Sequence, residues 1–229
     1  AQQYSSLRIP LPPLSVQEEI VAELDSYQKI IDGAKQVVDN WKPIIDINPE
    51  WAMAELEQVA LIIAGQSPEG KYYNSNREGV PFYQGKTEFQ DVYLGEPSTW
   101  TTQITKTSYP NDIVMSVRAP VGPVNLVTDK ICIGRGLAAI RCNDIIDFKF
   151  CFYYLKQNEK SITGTSGSTF ASINKSDIEK IKVPLPDIRT QQTIVGRIEI
   201  EQDLIKGTRQ IISLYEQKIK DRINKLWNE

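Results

Sequence analysis

The strongest constraint on this chain is a stretch that it contains twice. Ile9-Pro10-Leu11-Pro12-Pro13-Leu14-Ser15-Val16-Gln17 returns as Val183-Pro184-Leu185-Pro186-Asp187-Ile188-Arg189-Thr190-Gln191. The two align without a gap at an offset of 174 residues, and the match runs on: Ile31 falls on Ile205, Gly33 on Gly207, Gln36 on Gln210 and Val37-Val38 on Ile211-Ile212. A long repeat at fixed offset means one structural unit used twice.

Each copy reads as a short extended segment, a proline turn and a long helix. Prolines fix φ and push the preceding residue into extended geometry, so each helix has to begin after them. Ser15 followed by Glu18 has the spacing of a capping box, and Thr190 is expected to serve in the second copy. Val16, Ile20, Leu24, Tyr27, Ile31, Ala34, Val38 and Trp41 then recur in steps of three and four; the second copy gives Ile194 and Ile198, then after a step of seven Ile205, Thr208, Ile212, Tyr215 and Ile219. Glu201 and Arg222 interrupt the second stripe. Such a stripe is the seam of a coiled coil, and a second helix from about Gln191 to about Trp227 would run roughly 55 Å. The repeat supplies the helix that covers it.

Composition limits the chemistry. In 229 residues, 41% are hydrophobic and 24% charged, as in a folded globular chain. No apolar run has the length of a membrane span. There is no histidine, which excludes Ser-His-Asp catalysis and histidine metal sites. Cys132, Cys142 and Cys151 lack the close pairing of a zinc site and suggest a reducing interior. The net charge is −3, with the acidity on the first arm: residues 1–50 carry 4 Lys/Arg against 8 Asp/Glu, residues 51–175 carry 12 of each, and residues 176–229 carry 10 against 9. Nucleic-acid affinity in the middle of the chain must therefore come from local patches. Ala1 stands immediately before a repeat copy, so a fragment of a longer protein is expected.

Four segments follow: an extended lead-in at 1–14, a helix and linker at 15–50, a middle domain at 51–175, and a proline turn with the second helix at 176–229. In the middle domain helical periodicity gives way to short strands punctuated by Gly, Pro and Thr. Strands are expected at Val59–Ala64, Val80–Gln84, Asp112–Val117 and Leu137–Arg141, and a strand pair at Val124–Thr128 with Lys130–Ile133. Helices are expected near Ala54–Gln58, Asp147–Lys156 and Lys175–Lys180. The fold class is α+β: one mixed α/β domain plus two long antiparallel helices.

Three features carry a resemblance: Trp51 and Leu56 before Ile62-Ile63-Ala64-Gly65-Gln66-Ser67-Pro68; the run Gly164-Thr165-Ser166-Gly167-Ser168-Thr169-Phe170-Ala171-Ser172-Ile173-Asn174-Lys175; and the flanking repeats. Together they resemble the DNA specificity subunits of type I restriction–modification systems, over essentially the whole chain. Such subunits usually carry two target-recognition domains, each reading half of a split DNA site, spaced by two conserved helices. This chain resembles one recognition domain with one helix before it and one after. It is then the C-terminal half of a two-domain subunit, or a half-subunit acting as a homodimer. The resemblance implies a non-catalytic protein of a bacterial or archaeal cytoplasm. Its partners would be double-stranded DNA, modification (methyltransferase) subunits and, through the complex, restriction subunits. S-adenosylmethionine, magnesium and ATP would belong to those partners, and the chain itself would carry no cofactor or metal.

The residue types in the loops suit that role. Gln66, Ser67, Lys71, Tyr72 and Tyr73 offer an amide, a hydroxyl, a cation and two rings in one loop, and Gln84 with Lys86 repeats the mix at a strand end. Glutamine pairs bidentately with adenine, and lysine reaches phosphate or guanine. The tyrosines serve equally well as packing residues. Arg118 beside a proline turn and Arg135 between two glycines place cations where backbone approaches phosphate closely, or are surface ion-pair partners. Ser166, Ser168 and Lys175 offer hydroxyls, amides and a charge to phosphates, or form a flexible linker.

Two other readings compete. Pro186-Asp187 with Glu216-x-Lys218 imitates a metal-dependent nuclease motif, but along a helix the two carboxylates stand roughly 40 Å apart and cannot share a metal. The chain could also be an assembly module with a protein-binding middle domain. Matching seams in both repeat copies further allow helix exchange between two chains, giving four helices and two separated recognition domains.

Overall fold

The computed structural model describes residues 10–162 and 172–228. It divides into two compact units: the helical residues up to Lys42 with those from Ile198 onward, and a middle unit, Pro43–Arg197.

The helical unit is an antiparallel pair made by α1 (Leu14–Asn40) and the later part of α5 (Ile188–Asn228). Ile20 and Ile31 of α1 and Ile198 and Ile205 of α5 are buried, as the stripes require. The ring of Tyr27 meets that of Tyr215 edge-on at 5.4 Å. The two residues that interrupt the second stripe are both answered across the seam. Arg222 Nε lies 2.9 Å from the Glu23 carboxylate, which also accepts the Tyr27 hydroxyl at 2.7 Å. Glu201 accepts the Trp41 indole N–H at 3.1 Å. The Tyr27 and Arg222 bonds hold the Glu23 carboxyl below its ordinary pKa. Polar groups in a seam fix register when each is paired.

The repeat is obeyed at the helix starts. Leu14 and Ile188, at equivalent repeat positions, open α1 and α5. The expected capping box at Ser15 and Glu18 does not form: α1 begins two residues earlier, with Pro13 rather than Ser15 at its N-cap position and no side-chain cap. Thr190 is not the cap of α5 either. Asp187, the equivalent of Pro13, accepts the Thr190 N–H at 3.0 Å and its hydroxyl at 2.6 Å. Thr190 holds the Asp187 carboxyl below its ordinary pKa. That carboxylate is occupied as a helix cap, the role an acidic group at a helix start commonly takes.

The middle unit stacks two small sheets. The first has four antiparallel strands in the order β2 (Ala60–Ala64), β10 (Leu137–Cys142), β7 (Ile113–Ser116) and β8 (Val124–Leu126). The second has the order β3 (Tyr73–Asn74), β5 (Trp100–Thr101), β4 (Val80–Tyr83), β9 (Ile131–Ile133) and β6 (Thr107–Ser108), with β4 and β9 parallel. Tyr83, Val114, Ile131, Ile133, Leu137 and Ala139 form a core between them. β1 (Met53–Glu55) leads into α2 (Leu56–Val59) and pairs with β11 (Lys182–Pro184), the extended segment of the second repeat. α3 (Phe148–Gln157) starts on the Asp147 side chain, which accepts the N–H groups of Lys149 and Phe150, and buries Phe150 to Leu155. α4 (Lys175–Glu179) starts on a capping box of Asn174 and Asp177.

The expected pairing of the strands near 124–128 and 130–133 is a correction: β8 and β9 do not pair. All three residues of each are buried. β8 completes the edge of the first sheet on β7, and β9 inserts between β4 and β6 of the second. Thr128-Asp129-Lys130 is thus a corner between sheets.

One glutamine shows the repeat used unequally. In the first copy Gln17 Nε2 donates to Pro12 O at 2.7 Å; in the second Gln191 Nε2 donates to the equivalent Pro186 O at 2.8 Å. Gln191 is fully buried, also donates to Ile145 O and accepts the Asp147 N–H at 2.7 Å. Gln191→Ala strands those groups in the interior and should cost about 1–3 kcal/mol. Gln17→Ala at the half-exposed site should cost only about 0.5 kcal/mol. Urea unfolding midpoints compare the two, and equal losses would contradict the assignment.

Candidate nucleic-acid interface

Strand register decides where the candidate residues meet. β10 runs antiparallel to both β2 and β7, with Ala138 opposite Ala64 and Leu137 opposite Ser116. The chain just beyond β2, just beyond β7 and just before β10 therefore lies at one end of the first sheet. Those positions hold Gln66, Arg118 and Arg135. In the second sheet β4 and β9 run parallel with Tyr83 beside Ile133, so Gln84 emerges beside Gly134. Gln66, Gln84, Arg118 and Arg135 are all exposed along this common rim.

The rim is held by backbone bonds. Gly65 N donates to Leu137 O at 2.9 Å, and Gln66 N to Ile133 O at 3.0 Å. Gly134 N donates to Tyr83 O at 2.8 Å, Gly136 N to Gln84 O at 3.1 Å and Val117 N to Gly136 O at 2.9 Å. Ser67 Oγ accepts the Arg135 N–H at 3.2 Å. The segments approach too closely for side chains at two points. A Cβ on Gly65 would stand 2.1 Å from Gly134 O, and one on Gly136 would stand 2.4 Å from Gln84 O. The glycines are there because backbone meets backbone, and Arg135 is left as the only side chain the Gly134–Gly136 turn presents.

Among the described residues neither Arg118 nor Arg135 makes an ion pair. Both line a cleft of about 270 Å³ together with Lys175. Lys175 arrives there because Ile173 N donates to Val117 O at 3.1 Å and Ser172 bridges Arg118. Lys86 is exposed where a short 3-10 turn, Lys86–Glu88, begins. Lys71 is turned toward its own loop, 2.8 Å from Glu69 and with its ammonium 5.0 Å from the centre of the Tyr72 ring. Tyr73 serves the fold: its hydroxyl donates to Pro68 O at 3.0 Å and its ring stacks on Phe82 at 4.8 Å. Ser166 and Ser168 lie outside the described residues.

Side chains that did not stand out in the sequence hold the rim loop and the strands behind it. Thr105 Oγ1 donates to Gln66 O, and Gln103 accepts the Glu69 N–H at 2.9 Å. Arg77, at φ 64°, sets its guanidinium 5.5 Å from the centre of the Trp100 ring. Asp112, 2% exposed, holds Arg141 at 2.8 and 2.9 Å and accepts Ser108 Oγ and Tyr109 N, tying the opposite ends of β7 and β10. No spacing pattern announces these residues, because each has a partner distant in sequence.

Residues 48–217 match the family model for the type I restriction modification DNA specificity domain. The type I restriction enzyme MjaX specificity subunit of Methanocaldococcus jannaschii is 36% identical, the alignment covering 98% of this chain and 59% of that protein. The MjaIX specificity subunit of the same organism is 23% identical over 79% of this chain and 44% of its own length. A solved type I R-M system chain superposes with a TM-score of 0.70 at 30% identity, over 95% of this chain and 60% of that one. The HsdS subunit from Thermoanaerobacter tengcongensis gives 0.66 at 29% identity, over 95% and 59%. The chain thus spans about three-fifths of the length of the more similar of these relatives.

Two glycines in the same rim give a controlled test of its packing. Gly136→Ala drives a methyl into Gln84 O, whereas Gly85→Ala meets nothing within 4 Å. The first should lose about 1–3 kcal/mol of stability by overpacking, and the second should be near neutral. Thermal unfolding of both variants checks this, and a harmless Gly136→Ala would contradict the geometry.

Proposed function

The chain belongs to the type I restriction modification DNA specificity family, and we propose that it reads one half of a bipartite DNA target for a methyltransferase complex. The observation that carries this is the rim at one end of the two sheets. Gln66 and Gln84 stand exposed on the same rim as Arg118 and Arg135, in segments joined to one another by hydrogen bonds of the backbone. Amides for base edges and cations for phosphates, held on a rigid scaffold, are what duplex recognition requires.

In this reading the helical pair sets spacing and receives the methyltransferase subunits. The pair carries a second apolar stripe outside its seam: Ile30 and Val37 on α1, and Leu204 and Ile211 on α5, are all more than a third exposed. These are equivalent repeat positions, and Gly33 and Gly207 lie at the middle of each stripe. A Cβ on either glycine would meet nothing within 4 Å. A glycine inside a helix costs about 1 kcal/mol against alanine, and the helical pair gives no packing reason for it. A smooth stripe used twice favours two equivalent partner helices. Methyl transfer, DNA cleavage and translocation, with S-adenosylmethionine, magnesium and ATP, fall to the partner subunits. The second half-site falls to a second recognition domain.

Selection from a random duplex library, with the chain alone and with co-expressed methyltransferase subunits, tests the proposal. A gapped site is expected. Symmetric halves identify a homodimer, and unlike halves identify a different second domain. Absence of enrichment in both arms would overturn the reading.

A further inference from the structure

We infer that the cleft shared by Arg118, Arg135 and Lys175 holds one phosphate of the DNA backbone, beside the base step faced by Gln66 and Gln84. The inference rests on the half-site reading and divides its rim into two jobs.

The three cations come from three separate parts of the chain: the turn after β7, the turn before β10 and the start of α4. Among the described residues, those lining the cleft include no Asp or Glu. Three exposed cations around one cleft, with no carboxylate of the described lining between them, make a local positive patch that attracts an anion even in a chain of net charge −3. Among the described residues the two guanidinium groups have no carboxylate to answer them. Lys175 does have one, Glu179 at 3.4 Å, with side chains 48% and 26% exposed. An exposed pair of this kind is worth little, and a phosphate competes with it readily.

The walls are as informative as the charges. Ala64, Gly65 and Ala138 line the cleft with small groups, so an anion can approach close to the backbone. Arg135 belongs to both halves of the rim: it lines the cleft, and its N–H is bonded to Ser67 beside Gln66. On the other side of the same turn Gly136 is bonded to Gln84. A phosphate in the cleft therefore lies next to the exposed amides of Gln66 and Gln84. Phosphate contacts fix the register of a protein on the duplex, and base contacts supply the sequence information. The cleft then makes the glutamines selective by holding the backbone still.

The test uses the full chain assembled with its methyltransferase subunits, on a duplex carrying the selected site. Arg118→Ala and Lys175→Ala should each weaken binding about tenfold on all sequences alike, and together lower the slope of log K against log salt by about 1. Gln66→Ala and Gln84→Ala should leave the slope alone and relax preference at one base position. A duplex with a single neutral methylphosphonate linkage, moved along the half-site, should weaken the parent at one position and weaken Arg118→Ala less there, since only Arg135 and Lys175 remain to lose the contact. Unfolding midpoints close to the parent's establish that the variants are folded. Arg118→Lys, which keeps the charge, should recover part of the affinity. If the Arg118 and Lys175 variants relax a base preference, the cleft reads bases and the inference fails. If they change neither affinity nor slope while the glutamine variants relax specificity, the inference fails and the half-site reading stands. If all four variants bind as the parent does, both fail.

Discussion

Everything at the rim depends on how closely backbone meets backbone around the turn Gly134-Arg135-Gly136. Gly65 presses on Gly134, and Gly136 presses on Gln84, at distances no side chain fits. Hydrogen bonds from Gly65, Gly134 and Gly136 then lock three chain segments into one surface. Such packing removes the local freedom that an exposed loop otherwise keeps, and it does so just where long side chains must be aimed. The core of Tyr83, Val114, Ile133 and Leu137 lies directly behind this surface, so the aim is set by buried apolar residues. The Asp112–Arg141 pair steadies the far ends of β7 and β10, the strands whose near ends carry the two arginines.

The repeat organises the chain at a second scale. Equivalent residues begin both helices, and equivalent glutamines bond equivalent proline carbonyls. Among the described residues, only in the second copy does the glutamine also clasp the rest of the middle unit, through Ile145 and Asp147. The seam tolerates Glu201 and Arg222 because Trp41 and Glu23 answer them. Polar pairs of this kind contribute more to register than to stability. A register fixed in this way suits the spacing role proposed for the helical pair.

Much of this architecture was legible in the sequence, for identifiable reasons. The repeat and the three–four stripes announce the helices. The apolar runs at β2, β4, β7 and β10 announce strands, since each is bounded by Gly, Pro or polar residues. Sequence reasoning failed where structure depends on distant partners. β3, β5 and β6 are two residues long and leave no periodic trace. β8 and β9 look like a hairpin because adjacency in sequence says nothing about which sheet each joins. The repeat gives no cap signal at Asp187, because the equivalent residue in the first copy is Pro13. The candidate residues of the rim could be named one by one from their chemistry. That Arg118, Arg135 and Lys175 converge is a consequence of register, which sequence spacing does not encode.

The central claim is that DNA meets the end of the sheets that carries Gln66, Gln84 and Arg118. Photo-cross-linking in the assembled complex tests it most directly, with a reactive side chain placed singly at exposed positions of either end. The near end offers Gln66, Gln84 and Arg118; the far end offers Asn111 before β7 and Asn143 after β10. The account predicts cross-links to duplex DNA from the first three positions and none from the last two. Cross-linking from Asn111 or Asn143, with none from Gln66 or Gln84, would contradict it.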